Sequence, residues 1–188
     1  MTDSPKLFMI LLGCKPMGRS TEQHDIFFDI GTDLKSLVQP IRDYWPEGGE
    51  KLHVDAWRPV TYVDTFQVEV IPRPAAQDLV SQRLFFINLG GYKPGEFEEF
   101  HYKMILAAPD KGEAIRKAKT TAFYRHTGFT GAESHVDDKY GVDVDDIYDI
   151  QDILPGAVKA RYCLRLTSTD SDREEDPVHL GYFQLHKL

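Results

Sequence analysis

Residues 7–27 and 84–104 align without a gap at a constant offset of 77, with eight of 21 positions identical. The identities are Leu7/Leu84, Phe8/Phe85, Ile10/Ile87, Leu12/Leu89, Gly13/Gly90, Gly18/Gly95, Glu22/Glu99 and His24/His101. Chance pairing of two such stretches gives roughly one or two identities, so the chain reads as an internal tandem duplication. Lys15-Pro16 and Lys93-Pro94 also correspond after a slip of one residue. Further on, His53-Val54-Asp55 matches His135-Val136-Asp137 at an offset of 82, and Val60 matches Val142. The second copy therefore carries extra residues, which fit the loop around Gly128 to Gly131. A period of about 80 residues is too long for a solenoid and suits a duplicated domain half.

The apolar runs Leu7–Leu12 and Leu84–Leu89 read as buried strands, each stopped by a glycine turn at Gly13 or Gly90. A loop follows, and then Ile26–Ile30 and Tyr102–Ala107 read as second strands. Helices are expected to start at Thr32 or Asp33 and at Asp110, where Asp110 and Glu113 resemble a capping box. Leu34, Leu37, Val38, Ile41, Tyr44 and Trp45 recur at helical spacing and predict one stripe packed on a sheet, with a bend at Pro40. Ala114, Ile115, Ala118 and Ala122 supply the equivalent, smaller stripe. Alternating stretches at Phe66–Ile71 and Ile147–Ile150 are expected to close the two copies. Arg161–Leu166 and Val178–Leu188 read as a C-terminal hairpin around the acidic loop Ser168–Asp176.

The fold predicted is therefore α+β, with two related strand-strand-helix-strand-strand units about a pseudo-twofold. Copy one spans 7–71, a proline-bearing linker 72–83, copy two 84–154 and the hairpin extension 160–188.

A net charge of -8 opposes binding to nucleic acid or an anionic membrane. The opening MTDSPK leads to no long apolar segment, so a cytoplasmic protein is expected. Two cysteines, Cys14 and Cys163, make neither a disulfide framework nor a four-cysteine zinc site.

Chemistry is best sought where each first strand ends. Gly13, Lys15 and Gly18, with Gly90, Gly91, Lys93 and Gly95, are candidates for cradling a ligand, although the spacing matches no phosphate-binding loop. Glu22 with His24, and Glu99 with His101, stand two residues apart and share a face if extended. His53 with Asp55, and His135 with Asp137, repeat that spacing. Imidazole and carboxylate together suit zinc, manganese or iron. The plainer account, in which the histidines bridge strands by hydrogen bonds, comes first, ahead of a divalent metal or acid-base chemistry. Cys14 at the strand end reads as a small buried thiol before it reads as a nucleophile. Asp143, Asp145, Asp146, Asp149 and Asp152 lack the glycine and glutamate of a calcium loop and read as a solvated face.

The stretches LGCKPMGRSTEQHD, INLGGYKPGEFEEFHYKM and HVDDKYGVDVDDIYDIQDIL resemble the uncharacterised bacterial family of domain of unknown function 1543, found as one or two copies per chain. The resemblance covers most of Leu7 to Leu154 and implies duplication in a bacterial cytosol. It implies no activity. Three functions then follow in order. The first is a non-catalytic module that binds a small molecule or protein through the glycine loops, and the second a metal-dependent enzyme with a Glu/His site. The third is a self-associating protein, such as a homodimer, that pairs sheet edges.

Overall fold

The computed structural model describes residues 4–73, 81–92, 95–120, 143–169 and 173–188. In chain order its first elements are β1 (Lys6–Cys14), β2 (Gln23–Gly31), α1 (Val38–Tyr44), β3 (His53–Val60), β4 (Tyr62–Val63) and β5 (Phe66–Pro72). There follow β6 (Arg83–Tyr92), β7 (Glu99–Ala108), α2 (Lys111–Ala118), β8 (Asp143–Asp149) and α3 (Ile150–Ile153). The chain ends with α4 (Gly156–Arg161), β9 (Tyr162–Ser168) and β10 (His179–Gln184). Helices and antiparallel sheets are mixed, as an α+β reading requires. No helix among the described residues is long and apolar enough to cross a membrane.

Two compact units result: unit 1 comprises Met1–Gln77 and Leu154–Leu188, and unit 2 Asp78–Ile153. Unit 1 holds a four-stranded sheet in the order β10-β3-β1-β2 and a three-stranded sheet in the order β4-β5-β9. Alternation along β1 puts Phe8, Ile10, Leu12 and Cys14 on one face, where they pack with Leu34, Leu37 and Ile41. The predicted helical stripe thus lies on the sheet. It begins as a 3-10 turn at Lys35–Leu37, with Asp33 Oδ1 accepting the Ser36 N–H at 2.8 Å, and becomes α-helical at Val38. Pro40 falls in the first turn of α1, where its missing N–H has no intrahelical partner to lose, so the expected bend at Pro40 is replaced by this earlier junction.

The C-terminal hairpin is not formed. β9 pairs along its length with β5, and β10 pairs with β3 at the sheet edge, so both strands complete unit 1. Their sequences carried the strand signal but not the partner, and the connection between them is long enough to reach two sheets. The acidic connection is anchored: Asp176 accepts the Thr61 N–H at 2.6 Å and the Thr61 hydroxyl at 2.7 Å, and Glu175 pairs with Arg58.

In unit 2 the sheet order is β7-β6-β8. Phe85, Ile87 and Leu89 on one face of β6 pack against Ala114 and Ala118 of α2. Asp110 caps that helix by accepting the Glu113 N–H at 2.9 Å, as the capping pair predicts. The closing strand predicted at Ile147–Ile150 is not separate, because Ile147 lies in β8 beside β6 and Ile150 begins α3. Nor are the aspartates of this run simply a solvated face. Asp149 is buried, paired to Arg83 at 3.1 Å, and accepts the Gln151 N–H at 3.0 Å.

Asp29 of β2 is 1% exposed, and burial pushes its carboxyl above the ordinary range, opposed only by the Ile30 N–H. A folded-state value above the unfolded 3.8 means that the native state holds this proton more tightly. Its contribution to stability is therefore greatest below pH 3.8 and is lost as pH rises through the folded value. We expect Asp29→Asn to raise stability at neutral pH by on the order of 1 kcal/mol and to flatten the acid-side slope. Urea denaturation at pH 4.5 and 7.5 checks this, and an equal or lower midpoint at pH 7.5 would count against it.

Candidate metal centre

The site in unit 1 grows from a row of three paired residues. Gly13 of β1 stands opposite His24 of β2 on one side and His53 of β3 on the other. Directly paired residues of antiparallel strands share a face, so both imidazoles rise beside a position with no side chain. The register between β1 and β3 shifts at Leu11/Leu12: Leu11 pairs with Ala56 and Leu12 with Val54, which leaves Asp55 as the extra residue of a β-bulge. A bulge re-aims the side chain it inserts, and here Asp55 turns towards Gly13. A Cβ on Gly13 would overlap Asp55 Oδ2 and come within 2.6 Å of His53 Nε2.

The glycine is therefore needed for close approach and not for a turn. β1 runs on to Cys14, and Gly13 lies inside it; likewise Gly90 and Gly91 lie inside β6. Both strands outlast the expected stop because their glycines keep ordinary extended φ, the only positive-φ glycines being Gly18, Gly49 and Gly95 among the described residues.

Four side chains make a chain of pairwise contacts beside Gly13. His24 Nε2 is 3.2 Å from Asp55 Oδ2, and His53 Nε2 is 3.1 Å from Glu22 Oε1 and 3.2 Å from Asp55 Oδ1. His53 is the buried member, its side chain 4% exposed, whereas His24 and Glu22 are half open to solvent. The His53 Nδ1 lies 2.8 Å from the Lys51 carbonyl oxygen. A carbonyl only accepts, so Nδ1 carries a hydrogen and Nε2 is the ring atom turned to the two carboxylates. Neither contact has hydrogen-bond geometry: His53 Nε2 and Asp55 Oδ2 are buried without a hydrogen-bond partner. The Tyr182 ring of β10 lies 4.2 Å from the His53 ring, centroid to centroid, and holds its orientation from the other side.

Unit 2 builds a related group. Gly90 stands opposite His101 in β7, and the β6–β8 register shifts between Asn88 and Leu89 so that Asp145 is the bulge residue. A Cβ on Gly90 would overlap the Asp145 carboxylate. His101 Nε2 lies 3.3 Å from Asp145 Oδ2 and 3.9 Å from Glu99 Oε2, and one ligand atom of each of these three residues lies within 4.8 Å of the others. Opposite Gly90, in the register held by His53 in unit 1, is Asp143.

Glu22, His24, His53 and Asp55 are thus brought together, as are Glu99 and His101. His135, Asp137 and Lys93 lie outside the described residues. Lys15 is exposed, and Gly18 and Gly95, both at φ 81°, have open space about them. Asp145 was missed by sequence reasoning. The signal for it is the pair HVD at 53–55 and DVD at 143–145, outcompeted by the exact tripeptide at 135–137. Cys14 belongs to the opposite, core face; burial, and then Glu22 and Glu47, push its thiol up, so it is no thiolate nucleophile.

The family described as Domain of Unknown Function (DUF1543) matches residues 19–70, a segment that contains all four residues of the unit 1 group. No curated protein matches the chain. A crystal structure of a protein Il1583 from Idiomarina loihiensis is similar, at 20% identity and a TM-score of 0.58, covering 97% of this chain and 99% of that one. At that identity the likeness establishes the fold.

Proposed function

We propose that the protein is a metal-dependent one that binds a divalent cation of the zinc, iron or manganese class through Glu22, His24, His53 and Asp55. The observation that carries this reading is the buried His53 Nε2, which is directed at two carboxylates and has no hydrogen-bond partner. In the neutral ring the Nε2 lone pair faces two carboxylate oxygens, an arrangement that a positive charge between them relieves, whether a metal ion or a proton on Nε2. Ligands bound at ~2.0–2.2 Å around a tetrahedral or octahedral ion stand about 3.0–3.4 Å apart. The three closest pairs here match at 3.1–3.2 Å, but no three of the four residues bring ligand atoms within 4.8 Å of one another, so a shared ion requires the exposed Glu22 and His24 to draw in. The Lys51 carbonyl supplies the outer hydrogen bond that metal-binding histidines usually make.

His24 and Glu22 are half exposed, so solvent reaches this side of the group. An ion that keeps one of the two exposed residues off its shell would have a position for water and could supply Lewis-acid or water-activating chemistry.

We infer further that the two units are copies of one ancestor. Gly13/Gly90, His24/His101 and the bulge after Leu11 or Asn88 all recur at the offset of 77 found in the sequence. The third-strand match that supports this reading is Asp55 with Asp145, 90 residues apart, which replaces the pairing with Asp137.

The test is elemental mass spectrometry on untagged protein incubated with zinc, manganese and iron and then dialysed. Wild type is expected to retain about one equivalent of zinc, with His53→Gln reduced at least 10–100-fold in affinity. Equal retention by the two proteins, or none by wild type, would remove the proposal.

A further inference from the structure

We propose that unit 2 carries a second cation site, on Glu99, His101 and Asp145, and that it selects a harder ion than unit 1 does, of the Mn2+ or Mg2+ class. The backbone is shaped for it. Gly90 is vacant opposite His101, and the bulge at Asp145 sends a carboxylate into the space that any Cβ at Gly90 would fill. The same devices in unit 1 surround the unpartnered His53 nitrogen, so this inference rests on the proposed function there, while here one ligand atom of each of the three residues already lies within 4.8 Å of the others.

What differs is the donor set. Unit 1 offers two imidazoles and two carboxylates, whereas unit 2 offers one imidazole and the carboxylates of Glu99 and Asp145. Replacing nitrogen by oxygen shifts preference from zinc towards manganese and magnesium. The spacing and exposure agree. His101 Nε2 lies 3.3 and 3.9 Å from its carboxylates, and the three side chains are 29–39% exposed. An ion held so openly keeps several waters, as small hard cations do.

The experiment titrates Mn2+ into full-length protein already given one equivalent of zinc, and reads free Mn2+ by its room-temperature paramagnetic resonance signal. Wild type is expected to bind about one Mn2+ per chain. Asp145→Asn should weaken it at least tenfold with the zinc content unchanged, and His53→Gln should leave Mn2+ binding as it was. Glu99→Gln, also at an exposed side chain, repeats the test should Asp145→Asn fail to fold. Manganese bound equally by wild type and both unit 2 variants, or not at all by wild type, would overturn the proposal. Manganese lost in Asp145→Asn while zinc never binds would sustain this site and sink the one in unit 1.

Discussion

Gly13→Ala is expected to reduce zinc retention to background while leaving a folded protein. The added methyl would stand where the ligand atoms converge, overlapping the Asp55 carboxylate and 2.6 Å from His53 Nε2. His53 cannot swing away, because the Lys51 carbonyl holds one ring nitrogen at 2.8 Å and the Tyr182 ring covers it at 4.2 Å. Alanine is allowed at this φ, so the cost to the metal-free fold is that of overpacking, about 1–3 kcal/mol. Gly18→Ala makes the control. Its backbone sits at φ 81° with nothing within 4 Å, so substitution there strains one turn by roughly 1 kcal/mol and leaves metal untouched. Elemental analysis of both variants, with thermal melts in chelator, separates the two effects. Zinc retained by Gly13→Ala at the wild-type level would mean that no ion sits over Gly13.

Leu185→Ala is expected to destabilise the protein by about 2–5 kcal/mol, the range for truncating a fully packed leucine. Leu185 is 4% exposed and packs in the core formed by β1 and the helical segment, immediately after β10. Losing it loosens the strand that carries Tyr182 and pairs Gln184 with His53. Zinc affinity should therefore fall with stability, which chemical denaturation with and without the metal would reveal. A shift below about 0.5 kcal/mol, typical of surface positions, would mean that the C-terminal segment is not part of that core.

Much of this architecture was legible in the sequence because it rests on local patterning. The apolar runs of β1 and β6, the stripe from Leu34 to Trp45 and the cap at Asp110 are periodic or short-range; the elements formed, although both strands run past their glycines and the α-helix starts only at Val38. The pairing of β9 with β5 and β10 with β3 was not legible, since strand partners chosen across 90 residues or more leave no mark in either strand. At the centre, the spacing of Glu22, His24, His53 and Asp55 was visible, and their meeting was not. It depends on the register row through Gly13 and on a one-residue bulge, and neither depends on which residue stands in the bulge. The same blindness hid Asp145. A matching tripeptide was the stronger textual signal, and hydrogen-bond register was the stronger physical one.

The interruption of unit 1 between Gln77 and Leu154 has a consequence for how the protein is made. Chains emerge from the ribosome N-terminus first, and domains fold as units once their residues are available. Unit 2 is contiguous and can close while the ribosome is still at work. Unit 1 must wait with β3 and β5 in hand until β10 and β9, translated after unit 2, arrive to cover their edges. During that interval the open edges need protection from other nascent chains, and the histidines that would share a cation are gathered before the strand that steadies them exists.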